Sequence, residues 1–100
     1  MSDTAVKSRD LVSNRIKVPS KYKVIILNDD KTPMEFVVAL LIGVFKHSEP
    51  AAIDLTMKIH NEGSAVAGTY NFEIAEQKAV DATMLARNSN HPLVIKVEEE

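Results

Sequence analysis

The sequence predicts a small α+β domain, a two-layer β-α-α-β-α-β unit in which a three-stranded antiparallel sheet packs against three helices. Three observations predict it. Short runs of β-branched, aromatic or small apolar residues begin at Tyr22, Ala65 and Leu93 and read as strands. Longer apolar stretches between them carry helix start and stop signals. A length of 100 residues with 45% apolar content suits one folded domain. Residues 21–100 are expected to form the core domain and residues 1–20 a flexible N-terminal extension.

The extension is polar and too sparsely apolar to order itself, and Pro19 marks its edge. Tyr22 to Leu27 is the first strand, and the turn-favouring Asn28-Asp29-Asp30 ends it. Thr32 is placed to cap the first helix, with Pro33 at its first position and Glu35 completing a capping box. That helix runs to about Phe45 and is apolar on most sides, so it is expected to be well buried. Ser48-Glu49-Pro50 opens a second helix, on which Ala52, Leu55, Thr56, Ile59 and His60 share one side. Gly63 suits its C-terminal stop.

Ala65 to Tyr70 reads as a short, weak strand. Asn71 can cap a third helix reaching about Asn88, with Glu73 and Glu76 near its positive end. Its spacing assigns Ile74, Ala75, Ala82, Leu85 and Ala86 to the core. His91-Pro92 breaks the chain before a last strand, Leu93 to Val97, and the acidic Glu98 to Glu100 are expected to be solvated.

Several functions are disfavoured by composition. With no cysteine there are no disulfides or thiolate zinc sites, and a reducing compartment fits. A net charge of −2 gives no reason to expect nucleic-acid binding. The longest apolar run, Phe36 to Phe45, is about half a membrane span, so no membrane association is expected. The N-terminus lacks the apolar centre of a signal peptide, which makes the cytoplasm the default location. His47, His60 and His91 lack metal-ligand spacing, and Gly43, Gly63 and Gly68 are too spread for a phosphate loop. No metal or cofactor is expected. No nucleophile elbow is present either, so the residues favour a binding module over an enzyme.

Read alone, Asp29 and Asp30 fit a plain turn, and His60 fits a structural histidine. The neighbourhood is more informative. Acceptor groups in the turn stand directly before an apolar helix start at Met34 and Val37.

The run Tyr22 to Val37, containing Asn28-Asp29-Asp30-Lys31-Thr32-Pro33-Met34-Glu35-Phe36, resembles the signature of the ClpS adaptor family. The likeness continues at Ile59-His60 with Gly63, at Glu73 to Lys78 and at Asn90-His91-Pro92-Leu93, covering about residues 20–97. The resemblance implies a ClpS-like α+β fold and a non-enzymatic adaptor. Such adaptors bind N-degron substrates whose first residue is Phe, Tyr, Trp or Leu, and dock on the N-terminal domain of the ClpA unfoldase, which feeds the ClpP peptidase. It further implies that Asn28, Asp29 and His60 hold the α-amino group, and that Thr32, Met34, Val37, Thr56, Ile59 and Leu93 form the side-chain pocket. Asp30 matches a position beside the substrate backbone, and Glu73 and Lys78 match the ClpA-docking surface.

One departure from the family pattern is Thr56, where bacterial adaptors carry methionine. A shorter residue implies a roomier pocket with weaker exclusion of Ile and Val or a shifted aromatic preference. Two other readings compete. A protein-interaction domain like the C-terminal domain of the ribosomal stalk protein shares the element order but has no need for an ammonium site at Asn28, Asp29 and His60. A small hydrolase using Asp29 and His60 lacks an identifiable nucleophile.

Overall fold

The computed structural model describes residues 20–100. The expectation of a flexible extension therefore falls, except for Ser20, outside the described residues. The elements are β1 (Tyr22–Leu27), α1 (Met34–Gly43), α2 (Glu49–Glu62), β2 (Ser64–Tyr70), α3 (Phe72–Asn88) and β3 (Val94–Glu99), in the order the sequence predicts.

The sheet order is β2-β1-β3, with both pairings antiparallel. Strand β1 is central because its alternation is the most apolar. Val24 and Ile26 project to the helix side and are fully buried. Opposite them in β3 stand Val97 and Ile95, and Ile26 faces Ala65 in β2, so one face of the sheet is continuous apolar surface. The β1–β2 register shifts between Val24, which pairs with Gly68, and Ile25, which pairs with Val66, leaving Ala67 as a bulge residue. His47 Nε2, in the connection after α1, lies 2.6 Å from the Ala67 carbonyl and satisfies it by donating a hydrogen bond.

Helix α3 lies across all three strands, α2 packs on β2, and α1 packs on α2. The faces buried are Val37, Leu40 and Leu41 of α1, Ala52, Thr56 and Ile59 of α2, and Ala75, Ala82 and Ala86 of α3. Two expectations change here. In α3, Ile74 and Leu85 are 46% and 47% exposed. Each precedes a buried alanine by one residue, which is about 100° around a helix. The alanine stripe faces the sheet, since small side chains let the helix backbone approach it, and the larger residues turn outward. Helix α1 stops at Gly43 rather than Phe45 and exposes Ala39 and Ile42, because one side of it meets α2.

The helix ends of α2 and α3 follow local chemistry. Ser48 accepts from the Ala51 amide at 3.3 Å and Asn71 from the Ile74 amide at 3.1 Å. Gly63 closes α2 with φ of 93°, a conformation glycine adopts without a steric penalty.

Candidate functional site

The site begins where β1 ends. The Asn28 amide donates to the Gly63 carbonyl at 2.8 Å, extending the β1–β2 pairing one residue beyond Leu27 opposite Ser64. That bond fixes the turn after β1 against the C-terminal end of α2, where His60 stands exposed in the last turn.

Within the turn, the Thr32 amide donates to the Asp29 carbonyl at 3.3 Å, and the Thr32 hydroxyl donates to Asp29 Oδ2 at 2.5 Å. This overturns the expected capping box. Pro33 occupies the cap position of α1, and no side chain caps that helix. The hydroxyl instead turns to donate to the carboxylate three residues back, a strong acceptor, whereas in a capping box its oxygen would accept from an amide of the helix. The capping residue becomes a brace that fixes one oxygen of Asp29, a residue that lines the pocket.

The apolar part comes from the two packed helices and Leu93, the residue just before β3. Val37, Ile59 and Leu93 are buried, and Met34 is partly exposed at the mouth. Thr32 and Thr56 are the buried polar residues of the described chain. The Thr56 hydroxyl donates to the Ala52 carbonyl at 2.7 Å, so it is spent on the backbone of its own helix. Both threonines thus present little unpaired polarity to the pocket they line.

Asn28, Asp29, Asp30, Thr32, Met34, Val37, Thr56, Ile59, His60 and Leu93 surround one pocket of about 230 Å³. Its polar mouth carries two carboxylates, an amide and an imidazole beside the negative end of α2, and among the described residues no Lys or Arg lines it. An arrangement of acceptors above an apolar floor suits a small cation with a hydrophobic substituent. Among the described residues, no group of three or more His, Asp or Glu side chains is placed to hold a metal ion.

Glu73 and Lys78 do not line this pocket. Glu73 is exposed in the first turn of α3. Lys78 is half-buried, donates to the Val44 carbonyl at 2.7 Å and stands 5.8 Å from the centroid of the Tyr70 ring. It therefore ties α3 to the end of α1. Arg87 escaped the sequence reading: its guanidinium holds the carbonyls of His91 and Leu93. No local pattern marks a side chain whose partners are the backbone of the next loop.

The description "ATP-dependent Clp protease adaptor protein ClpS" names the family model that matches residues 17–96. The chain belongs to the ClpS family. A ClpS adapter of Sodalis glossinidius is 41% identical over 92 residues, covering 92% of this chain and 87% of its own length. A ClpS adapter of Treponema denticola is 44% identical over 89 residues, covering 89% and 88%. Both are named as adapters of a Clp protease. A solved structure of Agrobacterium tumefaciens ClpS2 bound to L-phenylalaninamide superimposes with a TM-score of 0.81 and 43% identity, covering 83% of this chain and all of that one. The ClpS fold is thus the fold of this chain, and family membership separates it from a stalk-like domain of the same element order.

Proposed function

We propose that this ClpS-family chain captures proteins by a free α-amino group and a bulky hydrophobic first side chain, and delivers them to the ClpA unfoldase of the ClpAP protease in the cytoplasm. The observation that carries the reading is the joining of acceptor mouth and apolar floor in one pocket. An N-terminal residue has the same two parts, and phenylalaninamide, bound by the Agrobacterium relative, unites them in one molecule.

An α-ammonium offers three N–H donors and a positive charge. The Asn28 side-chain carbonyl, the Asp29 oxygen not bonded to Thr32 and a neutral ring nitrogen of His60 accept them. Asp30 lies beside the backbone that follows. The side chain enters the space bounded by Thr32, Met34, Val37, Thr56, Ile59 and Leu93, where removal of apolar area from water is worth roughly 25 cal/mol per Å². With the Thr56 hydroxyl engaged by Ala52, the difference from methionine at this position is one of volume, which supports a roomier pocket. Glu73 serves as an exposed contact for ClpA, with Lys78 holding the surface behind it.

The test is a fluorescence-anisotropy panel of peptides differing only in the first residue, each free or acetylated. Free Phe- and Leu-first peptides bind, and acetylation, which leaves two or three acceptors unpaired, weakens binding by about 100-fold. Equal affinity for free and acetylated peptides sinks the reading. Loss of ClpA-dependent degradation in Glu73→Ala, with peptide binding intact, separates delivery from capture.

A further inference from the structure

The connection between α3 and β3 builds one wall of the pocket, and its anchoring is unusual. Helix α3 ends in a Schellman turn: the His91 amide donates to the Ala86 carbonyl at 2.8 Å and the Asn90 amide to the Arg87 carbonyl at 3.0 Å. Asn90 takes the left-handed position at φ 63°, a place asparagine tolerates better than most residues. This turn fixes the chain as far as His91. Residues 91–93 then lie outside β3, which begins at Val94, and Pro92 has no amide to donate.

Among the described residues, Arg87 and Phe36 make the side-chain contacts that hold this short stretch. Arg87 Nη1 donates to the His91 carbonyl at 2.9 Å and to the Leu93 carbonyl at 2.7 Å. The His91 ring meets Phe36 of α1 edge-on, with centroids 4.6 Å apart. Phe36 adjoins Val37, and Leu93 is only 1% exposed; both Val37 and Leu93 line the pocket. The wall is therefore clamped from outside by one guanidinium and from α1 by one ring contact.

We infer that Arg87 is a positioning residue for first-side-chain recognition, acting through the backbone of Leu93 without touching the ligand. The inference rests on the pocket being the site of that side chain. A charge-assisted bond to each of two carbonyls sets the depth at which the Leu93 side chain stands in the pocket. Without the clamp, the stretch from His91 to Leu93 samples other positions, and the apolar wall loses its fit to a large ring. The acceptors of the mouth, on the turn after β1 and on α2, are built from separate segments and stay in place.

The experiment measures affinity for Phe-first and Ala-first peptides, both with free amino groups, in the wild type, Arg87→Ala, Leu93→Ala and the double variant. In Arg87→Ala, Phe-first binding falls about tenfold, as expected for one charge-assisted bond's worth of order, while Ala-first binding changes little. The double variant binds Phe-first peptide as Leu93→Ala does, because the clamp has nothing left to position. Arg87→Lys, which keeps a charged donor, recovers part of the Phe-first affinity. Equal losses on both peptides, additive losses in the double variant, or no loss at all overturn the inference. If Arg87→Ala does not fold, Arg87→Gln and Arg87→Lys carry the same comparison. A wild type without preference for Phe over Ala overturns the pocket assignment itself, and this is seen before any variant is read.

Discussion

The mouth and the floor of the pocket are made of differently employed residues. Asn28, Asp30 and His60 are exposed, sit at the ends of elements and contribute no buried apolar surface. Val37, Ile59 and Leu93 belong to the same core that holds the helices on the sheet. The polar half is therefore free to be chosen for ligand chemistry, whereas the apolar half must first satisfy folding, and on the proposed function recognition as well. Asp29 and Thr32 join the two, since the buried threonine donates to the carboxylate at the mouth.

That contrast can be broken or sharpened by substitution. The largest effect on stability is expected on the floor. Ile59→Ala removes a buried side chain from α2 and is expected to cost about 2–5 kcal/mol in urea unfolding, with weaker binding of every large first residue. Asp29→Ala attacks the joint. It removes a proposed acceptor of the ammonium and leaves the Thr32 hydroxyl buried without its partner. The expected result is a loss of stability of about 1–3 kcal/mol together with roughly a 100-fold loss of peptide affinity. A stable Asp29→Ala variant with unchanged affinity removes Asp29 from the ammonium site.

His60→Ala is the cleanest test of the mouth. Exposed and outside the core, it is expected to shift stability by no more than about 0.5 kcal/mol while weakening binding about tenfold. If His60 accepts a hydrogen bond from the ammonium, affinity in the wild type falls with acidification, because a protonated imidazole can donate but no longer accept. Asp29 and Asp30 are the other titratable groups lining the pocket. A pH dependence that persists in His60→Ala assigns the effect to them instead. Smallest in its effect on binding is Thr56→Val, which removes a hydroxyl already bonded to Ala52. It is expected to change stability by about 1 kcal/mol or less and to leave the ranking of first residues as it was. Thr56→Met, by contrast, fills volume and is expected to sharpen discrimination against Ile- and Val-first peptides. An unchanged ranking in that variant removes Thr56 from the account of selectivity.

Much of the local structure around the candidate site was legible in the sequence because its signals are short-ranged. Asn28 to Asp30 marks a turn, Ser48 and Asn71 mark helix starts, and Gly63 marks a helix end through conformational preferences that act over a few residues. Helical spacing put Thr56 and His60 one turn apart. Resemblance supplied what spacing could not, namely which segments meet. The misses share a cause. Thr32 had a plausible partner in its own helix and took a stronger one in the preceding turn. The α3 stripe was drawn too wide because periodicity gives a face without saying which of its neighbours the sheet accepts.

The sequence by itself determined the types of group available, the order of the elements and most of their ends, since these depend on dihedral preference and on periods of two and 3.6 residues. Tertiary structure alone decided three things. The antiparallel register, carried one residue further by the Asn28–Gly63 bond, brought acceptors more than thirty residues apart in sequence to one mouth. Packing chose alanines over larger residues for the buried side of α3. The Arg87 clamp set the wall at Leu93. Each depends on which groups come within about 3 Å of one another, and hydrogen bonds and close packing are decided at that range.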